Sequence, residues 1–111
     1  MIEINIKPLS VNEAWQGRRF KTIKYDKYIN DLLFVLPRIK LPDPPYSLFI
    51  EFGYSNVQSD IDNALKPFID CLQKKYNFND KLIYKLIVEK VIVKKGNEFI
   101  NFEIKKYGLT Q

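Results

Sequence analysis

Residues 2–7, Ile-Glu-Ile-Asn-Ile-Lys, alternate strictly between apolar and polar, the pattern of a half-buried β-strand. Pro8 should end it, because proline has no amide hydrogen to give to a ladder. From Tyr25 to Ile39 the apolar residues recur at helical spacing (Tyr25, Tyr28, Ile29, Leu32, Leu33, Val35, Leu36, Ile39), which predicts an amphipathic helix that Pro37 ends or kinks. Tyr46 to Tyr54 is dense in aromatic and branched residues and reads as a strand, with so few polar positions that a central place in a sheet is expected. Leu65, Phe68, Ile69, Leu72 and Tyr76 share one helical face, so a second helix is expected over residues 63–76 with Pro67 in its first turn. Residues 82–94 alternate partly and are expected to bend near Lys90. Gly96-Asn97 marks a turn, and residues 99–107 alternate again. The last two runs read as a hairpin.

The expected order is therefore β-α-β-α-β-β, an α+β fold with two helices on one face of a mixed sheet. A length of 111 residues suits one domain covering 1–111. The segment Leu41 to Pro45 holds three prolines but is too short for a domain linker, and no internal repeat is present. No apolar run approaches the ~20 residues needed to span a bilayer, and the N-terminus lacks the apolar core of a signal peptide. No membrane partner is expected, and the cytoplasm is the expected compartment.

Charge and missing residue types narrow the chemistry. The net charge of +5 favours a polyanionic partner, nucleic acid ahead of an acidic membrane surface. The chain has no histidine, which excludes Ser-His-Asp and Cys-His catalysis. It also excludes histidine-based zinc sites, which the single cysteine, Cys71, cannot replace. Cys71 lies beside Leu72 in a helical run and reads as a small core residue. Any catalysis must rest on carboxylates, lysines, tyrosines or a metal ion.

The stretch from Ser59 to Asp70 concentrates those groups at a strand-to-helix junction. If the chain is extended there, Asp60 and Asp62 point the same way and aim their oxygens into one volume. Two anions so placed invite a cation, and oxygen-only ligands favour Mg²⁺ or Mn²⁺. Lys66 follows four residues after Asp62, and Asp80 lies in the polar loop after the helix. The plainer reading makes Asp62 or Asn63 a helix N-cap and pairs Lys66 with Asp70 as a surface ion pair. An EF-hand does not fit, because Leu65 and Cys71 stand where its loop needs glycine and glutamate. Ahead of the first helix, Ser10 to Thr22 reads as a polar loop. Its Arg18, Arg19 and Lys21, with Lys24 and Lys27 beyond, form the densest positive segment and suit phosphate contact. Trp15 or Phe20 could stack on an exposed base.

These residues together resemble the RusA family of phage and prophage Holliday junction resolvases. The resemblance runs through Pro8-Leu9-Ser10-Val11-Asn12, Gly17-Arg18-Arg19, the signature Asp60-Ile61-Asp62-Asn63-Ala64-Leu65-Lys66, the Asp70-x-Leu72 continuation, Asn79-Asp80 and a terminal hairpin. Many family members carry two acids where this chain has Asn79-Asp80. The resemblance implies a small homodimeric endonuclease, encoded by a phage or prophage. Such an enzyme requires Mg²⁺ or Mn²⁺ and places paired symmetric nicks in four-way DNA junctions during recombination and repair. It implies Asp60, Asp62 and Asp80 as metal ligands, and these with Lys66 as the catalytic set. Asn63 and Asp70 support that set, and Arg18, Arg19, Lys21 and Lys24 grip DNA. Two other readings stand beside it: a non-catalytic nucleic-acid-binding module, and a metal-dependent nuclease acting on forks, flaps or RNA.

Overall fold

A computed structural model describes residues 1–10, 14–16 and 20–108, with the backbone alone at Trp15, Gln16, Phe20 and Lys21. In chain order the elements are β1 (Ile2–Ile4), β2 (Trp15–Gln16), β3 (Phe20–Lys21), α1 (Ile23–Val35), β4 (Tyr46–Tyr54), α2 (Leu65–Tyr76), a 3-10 turn (Asp80–Leu82), β5 (Ile83–Ile92) and β6 (Phe99–Lys106). A four-stranded mixed sheet has the order β1-β6-β4-β5. Among the described residues this is the α+β architecture expected, with two helices on a mixed sheet. β2 and β3 add a small antiparallel ribbon inside the stretch read as loop.

The sheet lends one face to the core. Leu48, Ile50, Phe52 and Tyr54 of β4, Ile100 and Phe102 of β6, and Ile4 of β1 are all buried. They share one cluster with Tyr25, Tyr28, Ile29 and Leu32 of α1 and with Phe68, Cys71 and Leu72 of α2. Period-2 residues of the strands thus meet 3.6-period residues of the helices, which sets both helices on the same side. Thr22 opens α1 by accepting a hydrogen bond from the Tyr25 amide at 3.2 Å. The helix stops at Val35, short of the expected Ile39. Leu36 is extended, as the residue before a proline prefers to be. α2 ends at Asn77, whose left-handed backbone (φ 54°) closes the last turn.

The expected terminal hairpin does not form. β5 pairs parallel to β4, and β6 pairs antiparallel to the other edge of β4 and to β1. The Val93 amide donates to Tyr54 O at 2.8 Å, so the chain leaves β5 along the end of β4 before it turns at Lys94–Asn97. Alternation shows which residues share a face and says nothing of which edge a strand joins. β4, apolar on nearly every position, is stabilised by a partner on each edge, and it takes the centre as expected. Gly53 permits this closure, because the Phe99 ring lies where a side chain would project, 2.6 Å from an ideal Cβ.

Burial within the core sets an alkaline limit on stability. It pushes the Cys71 thiol up from 9.0 to about 11. It is also the first cause that lifts Tyr25 and Tyr76 from 10.0 to about 12. These groups stay neutral in the fold while the unfolded chain ionises first. The stability they protect is whole below about pH 9 and is lost as pH rises toward 11 and 12. Thermal melts should therefore fall progressively above pH 9, with a flatter fall between pH 9 and 11 in Cys71→Ala. A melting temperature constant up to pH 11 would contradict this account.

Candidate functional site

The segment from Ser55 to Ala64 joins the C-terminal end of β4 to α2 and is held by its own turns. The Asn56 side chain accepts from the Gln58 amide at 2.8 Å, and Asn56 O accepts from the Ser59 amide at 3.1 Å. Asp60 O then accepts from the Asn63 amide, and Asp62 O from the Leu65 amide, both at 3.1 Å. Asp60 and Asp62 therefore lie in consecutive turns, and the extended geometry that would aim them the same way is absent. The N-cap of α2 is Ala64, and no side chain caps the helix. The helix-cap reading of Asp62 and Asn63 thus fails: these residues contribute their backbone to the turn, and their side chains are not spent on α2.

Both acidic side chains are exposed. Burial raises the phenol of Tyr54, at the end of β4, above its ordinary value, and a backbone contact at Ala64 opposes the rise. The charges of Asp62 and then Asp60 push it further up, which sets both carboxylates within electrostatic reach of that hydroxyl.

Along the next turns of α2 the helix supplies Lys66 and Asp70, paired at 3.8 Å. Lys66 remains 63% exposed while Asp70 is 22% exposed, so the ammonium is held at one end and open to solvent. Asp80 reaches the same side of the helix because its amide donates to Gln73 Oε1 at 2.8 Å, and Asn79 caps the 3-10 turn through the Lys81 amide. One open cleft of about 360 Å³ is lined by Asp62, Leu65, Lys66, Ile69, Asp70 and Asp80. It gathers Asp62, Lys66, Asp70 and Asp80, and Asp60 is outside its lining. A roomier cleft of about 650 Å³ lies between Lys40–Asp43 and Ile104–Lys106. Asp43 is the one carboxylate there, which leaves it without the paired acids that hydrolysis of a phosphodiester calls for.

Carboxylate oxygen is the donor that Mg²⁺ or Mn²⁺ prefers. Among the described residues, however, no three acidic side chains converge closely enough to cage an ion. The described residues of one chain thus build no prearranged all-protein cage. Mg²⁺ commonly takes one or two carboxylates and completes its shell with water and substrate phosphate, and the open cleft fits that mode.

Lys90 of β5 was not legible as a site residue. Its Nζ donates to Val57 O at 3.0 Å and, through a shorter contact, to Ser59 O. One ammonium therefore ties the acidic loop to the sheet. The signal in the sequence was a lysine on the helix-facing parity of β5, among Leu86, Val88 and Ile92. Lys90→Met keeps the stem and orphans two carbonyls, so it should loosen the loop. We expect nicking to fall about tenfold or more with DNA affinity retained, since a small misplacement of reacting groups costs rate steeply. Unchanged turnover would remove Lys90 from the positioning of Asp60 and Asp62.

The basic loop takes root beside this site. Lys7, Pro8 and Ser10 share a cleft of about 160 Å³ with Tyr54, Ser59 and Asn63. The Thr22 amide donates to Ala14 O at 2.9 Å, which closes the base of the ribbon. Lys24 stands on α1 in a separate cleft with Lys7 and Lys27. Arg18 and Arg19 lie outside the described residues, as does the side chain of Lys21.

A mixed sheet carrying two helices on one face, with an acid-and-lysine cleft along the second, defines a small α+β domain of the RusA type. Residues 15–103 match the family described as Endodeoxyribonuclease RusA, and the chain belongs to that family. The family is one of DNA endonucleases, generally resolving Holliday junctions, so branched DNA is the partner class. No curated protein matches the chain. No helix among the described residues is long and apolar enough to cross a membrane.

Proposed function

We propose that the protein is a Mg²⁺- or Mn²⁺-dependent endonuclease that resolves four-way DNA junctions by paired symmetric nicks in recombination and repair. The observation that carries this reading is the cleft along α2. It puts Asp62 and Asp80 on the same opening as Lys66, and the N-terminus of α2 is left without a side-chain cap. Unspent carboxylates beside an exposed ammonium form a site for a phosphodiester, and a capping role would have consumed them.

In this reading the ion, when bound, lowers the pKa of water and offsets charge on the scissile phosphate. Asp62 and Asp80, on the same cleft, would hold it, with Asp60 at the adjoining turn. Lys66 sets a positive charge at the non-bridging oxygens, where charge builds up in the transition state. Asp70, 3.8 Å away, orients that ammonium. Asn63 keeps the turn closed through its amide. Arg18, Arg19, Lys21 and Lys24 grip the backbone, which sets position and gives salt-dependent affinity. Paired nicks on a junction of approximate two-fold symmetry call for two sites, hence a homodimer. A bacterial cytoplasm and a phage or prophage origin go with this role.

The test is cleavage of a synthetic four-way junction in Mg²⁺ and in Mn²⁺, beside a fork, a flap, an RNA hairpin and a linear duplex. Symmetric paired nicks confined to the junction support resolution. Stronger cutting of forks, flaps or RNA replaces the substrate, and tight junction binding without cleavage in either metal points to a binding module.

A further inference from the structure

The two edges of the sheet are finished differently. β1 is three residues long and is followed by Pro8, a protected edge. β5 is ten residues long, contains no proline, and has no strand on its outer side among the described residues. Its apolar side chains are exposed on both faces: Tyr84 64%, Leu86 41%, Ile87 37% and Ile92 46%. Lys90 does not guard this edge, because its ammonium is turned inward to the Val57 and Ser59 carbonyls. A long apolar edge is a template for another strand.

The charges on β5 name the strand. Lys85 and Glu89 lie on the sheet face away from the helices, two positions before and two positions after Ile87, and neither makes an ion pair among the described residues. Glu89 is moreover opposite Glu51 of β4, a like-charge juxtaposition in which neither carboxylate has an ion-pair partner among the described residues. When two copies of β5 run antiparallel in one continuous sheet, opposed residues must share a face, which leaves only registers of one parity. Centring the pair on Ile87 sets Lys85 opposite the partner's Glu89 and Glu89 opposite the partner's Lys85. It also sets Leu86 against the partner's Val88. Centring on Leu86 or Val88 opposes each charge to an aliphatic side chain. Centring on Lys85 or Glu89 opposes like charges.

We propose that β5 is the surface by which two copies of this chain associate. They pair antiparallel about a two-fold axis at Ile87 and form an eight-stranded sheet with all four helices on one side. The surface and register follow from β5 itself, and their link to paired nicking rests on the function proposed above.

Two measurements test the assignment. In Ile87→Cys the substituted position faces its own copy, so mild oxidation should give a disulfide-linked dimer, whereas Tyr84→Cys should not. Cys71 is buried and does not interfere. By sedimentation velocity, Ile87→Lys should dissociate at least tenfold more readily than wild type. Lys85→Glu should also weaken association, and Lys85→Glu combined with Glu89→Lys should restore it. Circular dichroism of each variant checks the fold, and the exposed charge swaps keep the test valid if Ile87→Lys misfolds. A monomeric wild type, no cross-link at position 87, or a charge swap that fails to restore association would overturn the proposal. Junction nicking, followed in the same samples, separates the two readings. Paired nicks without cross-linking at 87 leave the nuclease and remove this interface. Cross-linking at 87 in a protein that cuts nothing leaves the interface and removes the nuclease.

Discussion

Asp62→Asn should abolish junction nicking while leaving junction binding intact or slightly tighter. The substitution keeps the shape of the side chain and removes one negative charge from the cleft that Asp62 shares with Lys66 and Asp80. The side chain is exposed and plays no part in capping α2, and the turn uses only its backbone carbonyl. Folding should therefore be little changed, and a lost rate can be read as lost chemistry. Removing a carboxylate that holds the ion should cost about a thousandfold or more in rate, the scale of several kcal/mol of transition-state stabilisation. Binding should not suffer, because a negative charge next to DNA phosphates opposes association. Asp80→Asn, on the same opening, should fall to a similar level. Single-turnover rates beside gel-shift affinities check both variants, with thermal melts as the control for folding. Full cleavage by Asp62→Asn would return this residue to an ordinary surface turn.

Lys66→Ala should lower the rate about 100- to 1,000-fold, the range seen when one preorganised charge is withdrawn from developing transition-state charge. Lys66 is well placed for that test. It is 63% exposed and its ion-pair partner among the described residues is Asp70 at 3.8 Å, so its contribution to stability as a surface pair is slight. Two roles are separable. If rate falls with affinity unchanged, Lys66 acts in the transition state. If affinity falls together with about one unit of the salt slope, Lys66 anchors a phosphate in the ground state. Lys66→Arg keeps the charge but not the point geometry, and should recover only part of the rate. No change in either quantity would place Lys66 outside the reaction.

The resemblance to the RusA family is legible in the sequence alone, because the signature from Asp60 to Lys66 and the basic loop are local in sequence. The family match over residues 15–103 bears that out. The helices and the central strand were legible for a similar reason. Helical and strand periodicity are written residue by residue, and Pro37 truncates α1 as its chemistry requires. Edge choice was not legible. β5 and β6 alternate next to each other in sequence and read as a hairpin, yet β4 separates them. The parity of a strand selects a face, and only competition for the edges of the most apolar strand selects a neighbour.

The site divides along the same line. By itself the sequence determined which groups are available: carboxylates at Asp60, Asp62 and Asp80, an ammonium at Lys66, no histidine, and a surplus of positive charge. It also determined the two helices, the alternating strands and the family, since each depends on short-range pattern. Tertiary structure alone decided that Asp60 and Asp62 occupy successive turns instead of an extended segment, and that Gln73 draws Asp80 onto the cleft of Lys66. It alone decided that Lys90, remote in sequence, fastens the acidic loop, and that β5 lies at an open edge. Those features depend on contacts between residues far apart in the chain, whose partners are chosen when the whole core packs and not by any local period.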